Sequence, residues 1–367
     1  MAPIRVLQVV THMDRGGLET MLMNYYRHMD REKVQFDFLV HRQERAAYDD
    51  EIEALGGKIY RLSRLVPWGK SYLAALNLFF ADHPEYKVVH VHQDCLSSVI
   101  LKAAEGHGVP VRIAHSHNAN QDRNLKYPIK LWYRREIPRY ATKLFACGKD
   151  AGDWMFGGAP YQILNNAIDA AAYACDLAKR MEMRRKLGLA DELVVGHVGR
   201  FNPQKNHPFL LAIFAALLKK EPNAVLLLVG GGEDMPRIQA KARELGIADH
   251  VRFLGVRSDV ADLMQAMDVF VFPSSYEGLP VTMVEAQAAG LPCLISDKVP
   301  PECILTEGLV DVMPLSAGAE AWADAIVEKC NTHRTDRSAE IAAHGFDITT
   351  EAVKLQEFYL NAYEQNC

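Results

Sequence analysis

Two carboxylates eight positions apart, Glu277 and Glu285, stand in the stretch Pro273-Ser274-Ser275-Tyr276-Glu277-Gly278-Leu279-Pro280 and its continuation. Pro280 suits the first turn of a helix. That leaves Glu277 on the preceding loop and Glu285 about a turn and a half inside the helix, at about 3.6 residues per turn. Val281, Val284, Ala286, Ala288 and Ala289 make this helix mostly apolar, so Glu285 is expected to be buried, and a buried carboxylate needs partners. One such carboxylate can meet a sugar ring while the other accepts hydrogen bonds from ribose hydroxyls. Upstream, Arg200 and Lys205 stand five apart in Gly199-Arg200-Phe201-Asn202-Pro203-Gln204-Lys205-Asn206, directly after an apolar run. Two fixed cations there can clamp a diphosphate through charge-assisted bonds of roughly 1.5–3 kcal/mol each. Such contacts strengthen as a nucleoside diphosphate departs, so they favour the transition state.

The first half carries a second set. Gly16-Gly17 follows an apolar run and opens a helix-like stretch. Glycines there admit a ligand to the backbone, and amides at a helix N-terminus favour anions. The pattern is not GxGxxG, which disfavours a dinucleotide cofactor. Histidines 90 and 92 end one apolar run, and histidines 115 and 117 follow another. Four imidazoles at two strand ends can be read as a metal cluster. However, no Asp-x-Asp occurs in the chain, and no other carboxylate or thiolate has ligand-like spacing with them. The expectation is no metal, with His117 facing a ligand and the other three packed behind it. Gly230-Gly231-Gly232 frees the backbone to pass close to a ligand or to a neighbouring strand.

The elements that position these residues are strands and helices in alternation. Strand-like runs fall at 4–10, 34–40, 58–62, 88–92, 109–115, 143–147 and 161–165, then at 193–198, 224–229, 251–254, 269–272, 291–295 and 310–313. Many are continuously apolar, as strands covered on both faces are. Helix-sized segments at 210–220, 234–245 and 350–363 separate or follow them. Such alternation predicts parallel sheets built from right-handed βαβ units. The expected fold is α/β, with two Rossmann-like doubly wound domains facing a central cleft. The domains are 1–170 and 188–346, with a C-terminal helix at 347–367 that can pack back on the first. In such sheets, ligands bind beyond the carboxyl ends of strands, where all the residues above lie.

Composition is consistent with this. With 49% hydrophobic and 24% charged residues, the chain is of the globular class. Residues 1–170 hold 22 Lys and Arg against 19 Asp and Glu, whereas 171–367 hold 19 against 27. The more basic first half is suited to something anionic, but no basic stripe reaches the density nucleic acid requires. The seven cysteines are scattered without CxxC spacing, and no leader or membrane-spanning run is visible. The cytoplasm is the expected compartment. Residues 123–143 interleave seven basic residues with Tyr127, Ile129, Leu131, Trp132, Tyr133, Ile137 and Tyr140. Such a helix can lie on an anionic membrane surface, although Pro128 and Pro138 are expected to shorten it.

Glu277…Glu285 in its E-G-L-P-x-x-x-x-E-A setting, Gly199-Arg200…Lys205, Gly16-Gly17 and His117 together resemble the retaining glycosyltransferases of family four. These have the GT-B architecture, and the resemblance covers essentially the whole chain. Within that family, Gly16-Gly17-Leu18-Glu19 and Ala114-His115-Ser116-His117-Asn118 are similar to enzymes of capsule and exopolysaccharide synthesis. The resemblance implies a nucleotide-sugar donor, with UDP as the weighted choice, and a glycan or polyprenyl-diphosphate-linked acceptor, with no metal or other cofactor. It implies that Arg200 and Lys205 hold the diphosphate and Glu285 the ribose. Glu277 and the amides of Gly278 and Leu279 would hold the sugar, His117 would contact it near the reacting centre, and Gly16 and Gly17 would approach the phosphates and acceptor. One departure is Asn206, where many relatives have Gly; Asn tolerates left-handed backbone geometry. Alternatives are a non-hydrolysing UDP-sugar epimerase, which needs no acceptor, a catalytically silent nucleotide-sugar-binding protein, and an NAD oxidoreductase, which lacks its fingerprint.

Overall fold

The computed structural model of the chain describes residues 2–118 and 127–366. The start of the basic segment, residues 123–126, lies outside the described residues. The described chain divides into two compact units, Met1–Ala167 with Ile348–Cys367, and Ile168–Asp347.

The first unit holds β1 (Ile4–Val10), β2 (Val34–Val40), β3 (Ile59–Arg61), β4 (Val88–Val91), β5 (Val111–Ser116), β6 (Lys143–Ala146) and β7 (Gln162–Ile163). They form one parallel sheet in the order β3-β2-β1-β4-β5-β6-β7. The chain winds outward from β1 in one direction and resumes at β4 in the other, so loops diverge above β1 and β4. Every residue of β2 is buried, because apolar layers cover both faces. On one face, helix Gly17–His28 packs with the C-terminal helix Ile348–Asn366 through Met21, Tyr25, Ile348, Leu355 and Tyr359. On the other, Leu76 and Phe80 of Lys70–Asp82 meet Ile100 of Ser97–Gly106 and Ile137 of Tyr127–Tyr140.

The second unit holds β8 (Val194–Val198), β9 (Val225–Val229), β10 (Val251–Gly255), β11 (Val269–Phe272), β12 (Cys293–Ser296) and β13 (Val310–Met313). The order is β10-β9-β8-β11-β12-β13, again parallel. Here the winding direction changes between β8 and β11. Leu210, Phe214 and Trp322, from helices His207–Leu218 and Gly318–Lys329, are fully buried against this sheet.

Three details refine the sequence expectations. The run at 161–165 yields only the two-residue edge strand β7. Pro138 does not end its helix, which continues to Tyr140. It is exposed and lies two residues before the helix ends, and Pro128 occupies the first turn, where its missing N–H has no intrahelical partner. Gly230 and Gly232 prove to be structural. They adopt φ of +135° and +150°, and a Cβ on them would fall 2.1 Å from the Gly199 carbonyl oxygen and 2.4 Å from that of Phe201. Glycine is required because this loop runs against the loop after β8, which it holds through a bond from Phe201 N to Gly231 O at 2.8 Å.

Candidate active site

The loop after β8 places the two cations. Asn202 caps the short turn Pro203–Lys205, its Oδ1 accepting from Lys205 N at 3.1 Å. Asn206 takes the left-handed conformation, φ 53° and ψ 42°, so it supplies the geometry for which glycine is otherwise chosen. Helix His207–Leu218 can then start immediately. This directs the Lys205 ammonium to 2.7 Å from Glu277 Oε1 and to 4.5 Å from the centre of the Phe272 ring. Gln204 holds the same carboxylate, its Nε2 donating to Glu277 Oε2 at 3.1 Å and to the Tyr276 carbonyl at 3.0 Å. Lys205 and Glu277 thus join the loops of β8 and β11, at the point where the sheet changes winding direction. Their side chains are 13% and 6% exposed, so each needs the other: a buried ion left without its partner costs several kcal/mol, on the order of 3–5. Arg200, in contrast, is exposed. Gly278 and Leu279 are buried just beyond Glu277.

Glu285 lies in helix Val281–Ala288 and is buried, as its apolar neighbours require. Desolvation raises its pKa to about 7, against the lowering effect of a bond from the Tyr173 hydroxyl. That bond, to Oε1, is 2.7 Å long. Tyr173 ends the short helix Ala170–Tyr173.

In the first unit the four histidines form one cluster. His90 and His92 project from β4 and its end to the same face as His115 and His117 of the neighbouring strand β5. Ring centres of His115 and His117 are 4.0 Å apart, and those of His90 and His115 are 5.3 Å apart and stacked. His92 Nδ1 lies 2.8 Å from His117 Nε2. Burial lowers the pKa of all four, that of His117 to about 3, and for the other three neighbouring imidazoles push the same way. They are neutral at pH 7. Ring nitrogens of His90, His92 and His115 come within 4.8 Å of one another, a spacing from which metal ligation can be considered. The donor set fits it poorly. Both His92 nitrogens are already engaged, by His117 and by Gln8 Oε1 at 2.9 Å. Among the described residues no carboxylate joins the three to offset a buried dication, which is the costly case.

Gly16 precedes helix Gly17–His28 in extended conformation, φ −117° and ψ 175°, and among the described residues nothing but the adjoining chain and the helix's own backbone lies within 4 Å of where a Gly17 Cβ would be. Helix Tyr127–Tyr140 buries Ile137 and Tyr140 and exposes Ile129 and Trp132. Of its cations, Arg135 and Arg139 are exposed. Arg134 is tied to the Trp154 carbonyl at 2.6 Å and stacks near its ring. Among the described residues, no helix is long and apolar enough to cross a membrane.

Gln8, Tyr173, Gln204 and Tyr359 were not singled out by sequence reasoning. Only Gln8 carried a signal, as the lone polar residue inside the apolar run Val6–Val10 of β1.

Residues 15–172 match the model of Glycosyltransferase Family 4, and residues 179–330 match that of Glycosyl transferases group 1. A protein of Bacillus subtilis (strain 168) named "Putative glycosyltransferase EpsF" is 38% identical over 97% of this chain and 96% of its own. The chain belongs to the group 1 glycosyltransferases. This glycosyltransferase is also 23% identical, over 76% of each chain, to the Escherichia coli UDP-Gal:alpha-D-GlcNAc-diphosphoundecaprenol alpha-1,3-galactosyltransferase. Among solved structures, Anabaena Alr3699/HepE in complex with UDP and glucose matches with a TM-score of 0.78 over 97% of this chain and 99% of that one, at 19% identity. The sucrose-phosphate synthase of Thermosynechococcus elongatus matches with a TM-score of 0.77 over 99% and 100%, at 18% identity. These likenesses concern the fold, which is GT-B.

Proposed function

We propose that this glycosyltransferase retains the donor's anomeric configuration. In this reading it moves a sugar from a UDP-sugar to a glycan or polyprenyl-diphosphate-linked acceptor in cell-surface polysaccharide synthesis, without a metal ion. The observation that carries the reading is the Lys205–Glu277 pair joining the loops of β8 and β11. The ammonium has three donors. One meets Glu277, and the others are available to diphosphate oxygens. Arg200, exposed on the same loop, supplies the second cation. As the bond to the leaving diphosphate breaks, negative charge accumulates there, and fixed cations stabilise that transition state more than the ground state. Glu277, with the amides of Gly278 and Leu279, holds the sugar, and Glu285 accepts bonds from the ribose hydroxyls. His117, neutral, contacts the sugar near the reacting centre, and Gly17, with Gly16, offers backbone to phosphate or acceptor. The relatives support the donor and acceptor classes: UDP-Gal and a diphosphoundecaprenol-linked sugar for the Escherichia coli enzyme, and UDP with glucose for HepE. We place the enzyme in the cytoplasm, touching the anionic inner face of the membrane through Trp132, Arg135 and Arg139.

The test is nucleoside diphosphate release from UDP-sugars, with and without a lipid-diphosphate-linked glycan, together with the anomeric configuration of the product by proton NMR. Acceptor-dependent UDP release with retained configuration is expected. An epimerised UDP-sugar formed without acceptor, or an inverted product, refutes the reading.

A further inference from the structure

The imidazole cluster continues inward as a single hydrogen-bonded chain within the first unit. Gln8 of β1 lies beside His90 of β4 in the strand register. Its amide nitrogen donates to the Tyr359 hydroxyl at 3.3 Å, and its Oε1 faces His92 Nε2 at 2.9 Å. The Tyr359 hydroxyl lies 2.7 Å from His90 Nδ1, and His92 Nδ1 lies 2.8 Å from His117 Nε2. Gln8, His90, His92 and Tyr359 are all buried, so each proton has a short choice of partners, and the protonation of one ring nitrogen is set by what the other binds.

The proton positions then follow in sequence. Gln8 Oε1 can only accept, so His92 carries its proton on Nε2 and its Nδ1 is a lone pair. The bond between the two imidazoles must then be donated by His117 Nε2. A neutral His117 has no second ring proton, and its Nδ1 is therefore an acceptor. At the other end the Tyr359 oxygen accepts from Gln8 and donates to His90 Nδ1. His115, packed 4.0 Å from the His117 ring, fixes the plane of that ring without competing for it: neither of its nitrogens has a partner among the described residues. Reversing the Gln8 amide would reverse every link and place a proton on His117 Nδ1. The chain is thus a single switch with two polarities.

We propose that Tyr359, Gln8 and His92 form a positioning relay that holds His117 as the Nε2–H tautomer, presenting Nδ1 as a hydrogen-bond acceptor to a sugar hydroxyl. The C-terminal helix thereby sets the chemistry of a residue far from it in sequence, without touching substrate. The relay itself depends only on this unit. Its final clause rests on the proposed sugar contact of His117.

Long-range proton–nitrogen correlation spectra of the full chain labelled with 15N-histidine, without ligand, read the tautomer directly. His117 is assigned by its loss in His117→Asn. The expected pattern is a protonated Nε2 and an unprotonated Nδ1, shifting toward a mixture in Gln8→Leu. A proton on Nδ1 in the wild type overturns the relay. In turnover, Gln8→Leu is expected to lower kcat roughly tenfold, the effect of one hydrogen bond, with the donor KM little changed. His92→Asn, which keeps an oxygen to accept from His117, should retain more activity than His92→Leu; equal loss in the two counts against the relay. If Gln8→Leu fails to give a cooperative melt, Tyr359→Phe carries the perturbation, and the wild-type spectrum decides the polarity. The expected tautomer combined with wild-type turnover in His117→Ala overturns the sugar-hydroxyl clause while leaving the relay standing.

Discussion

On one face of β4 and β5 and at their ends stand four imidazoles kept uncharged by burial. Beyond β8 and β11 stands an ammonium paired with a carboxylate, with the exposed guanidinium of Arg200 on the same loop. Both clusters occupy strand ends in parallel sheets of the same winding. The difference lies in what each can offer a ligand. A neutral imidazole contributes direction, one donor and one acceptor, and no net charge. A charge-assisted bond is about twice as strong as a neutral one and suits a polyanion whose charge grows during reaction. In the proposed reading, the first sheet contributes orientation and the second contributes charge.

Breaking the ionic cluster should have the largest effect. Lys205→Ala and Glu277→Gln are each expected to lower kcat by about 10²–10³-fold, the range for removing a preorganised group that stabilises developing charge, while the protein remains folded. Steady-state kinetics with melting curves check this, and wild-type kcat in both variants would remove the ionic cluster from the chemistry. For the neutral cluster, His117→Ala should cost about 10–100-fold, in keeping with the loss of one or two hydrogen bonds, and should exceed the effects of His90→Ala and His115→Ala. Equal losses at all four histidines, with inactivation by a chelator, would instead point to a metal shared by the imidazoles.

Glu285 is intermediate, since it is a carboxylate held in the neutral cluster's kind of surroundings. Burial raises its pKa from 4.5 to about 7. A raised pKa contributes stability that is present below pH 4.5 and lost as pH rises through about 7. Over the same upper range the carboxylate that accepts ribose hydroxyls forms, so donor affinity should rise roughly tenfold between pH 6 and 8. Tyr173→Phe removes the bond that favours the charged form and should move that midpoint upward; Glu285→Gln should abolish the pH dependence. A donor Kd that stays flat with pH in the wild type contradicts the assignment. The smallest effect is expected at the surface. Arg135→Gln should weaken sedimentation with anionic vesicles about fivefold, corresponding to about 1 kcal/mol for a cation near the membrane, and leave turnover of a soluble acceptor unchanged. A wild type that does not sediment at low salt contradicts the membrane contact.

Much of this was legible in the sequence, for physical reasons that differ by residue. The runs at 4–10, 34–40 and 269–272 coincide with β1, β2 and β11 because turn-forming or polar residues bound each segment. Burial of Glu285 followed from the apolar helix around it, and the left-handed Asn206 from its ability to replace glycine. What could not be read were the partners. Gln8 and Tyr359 are 351 positions apart, and Tyr173 and Glu285 are 112 apart. Periodicity locates a residue on its own element, but it carries no information about which distant hydroxyl or amide the tertiary fold brings to it.

The division of labour between the clusters is tested most directly by calorimetric titration of UDP and of a UDP-sugar into Lys205→Ala and His117→Ala. Lys205→Ala should lose affinity for both ligands alike, because both carry the diphosphate. His117→Ala should bind UDP as the wild type does and lose only the additional affinity the sugar provides. If His117→Ala weakens UDP as much as Lys205→Ala does, or if Lys205→Ala binds UDP normally, the assignment of charge to one sheet and orientation to the other is wrong.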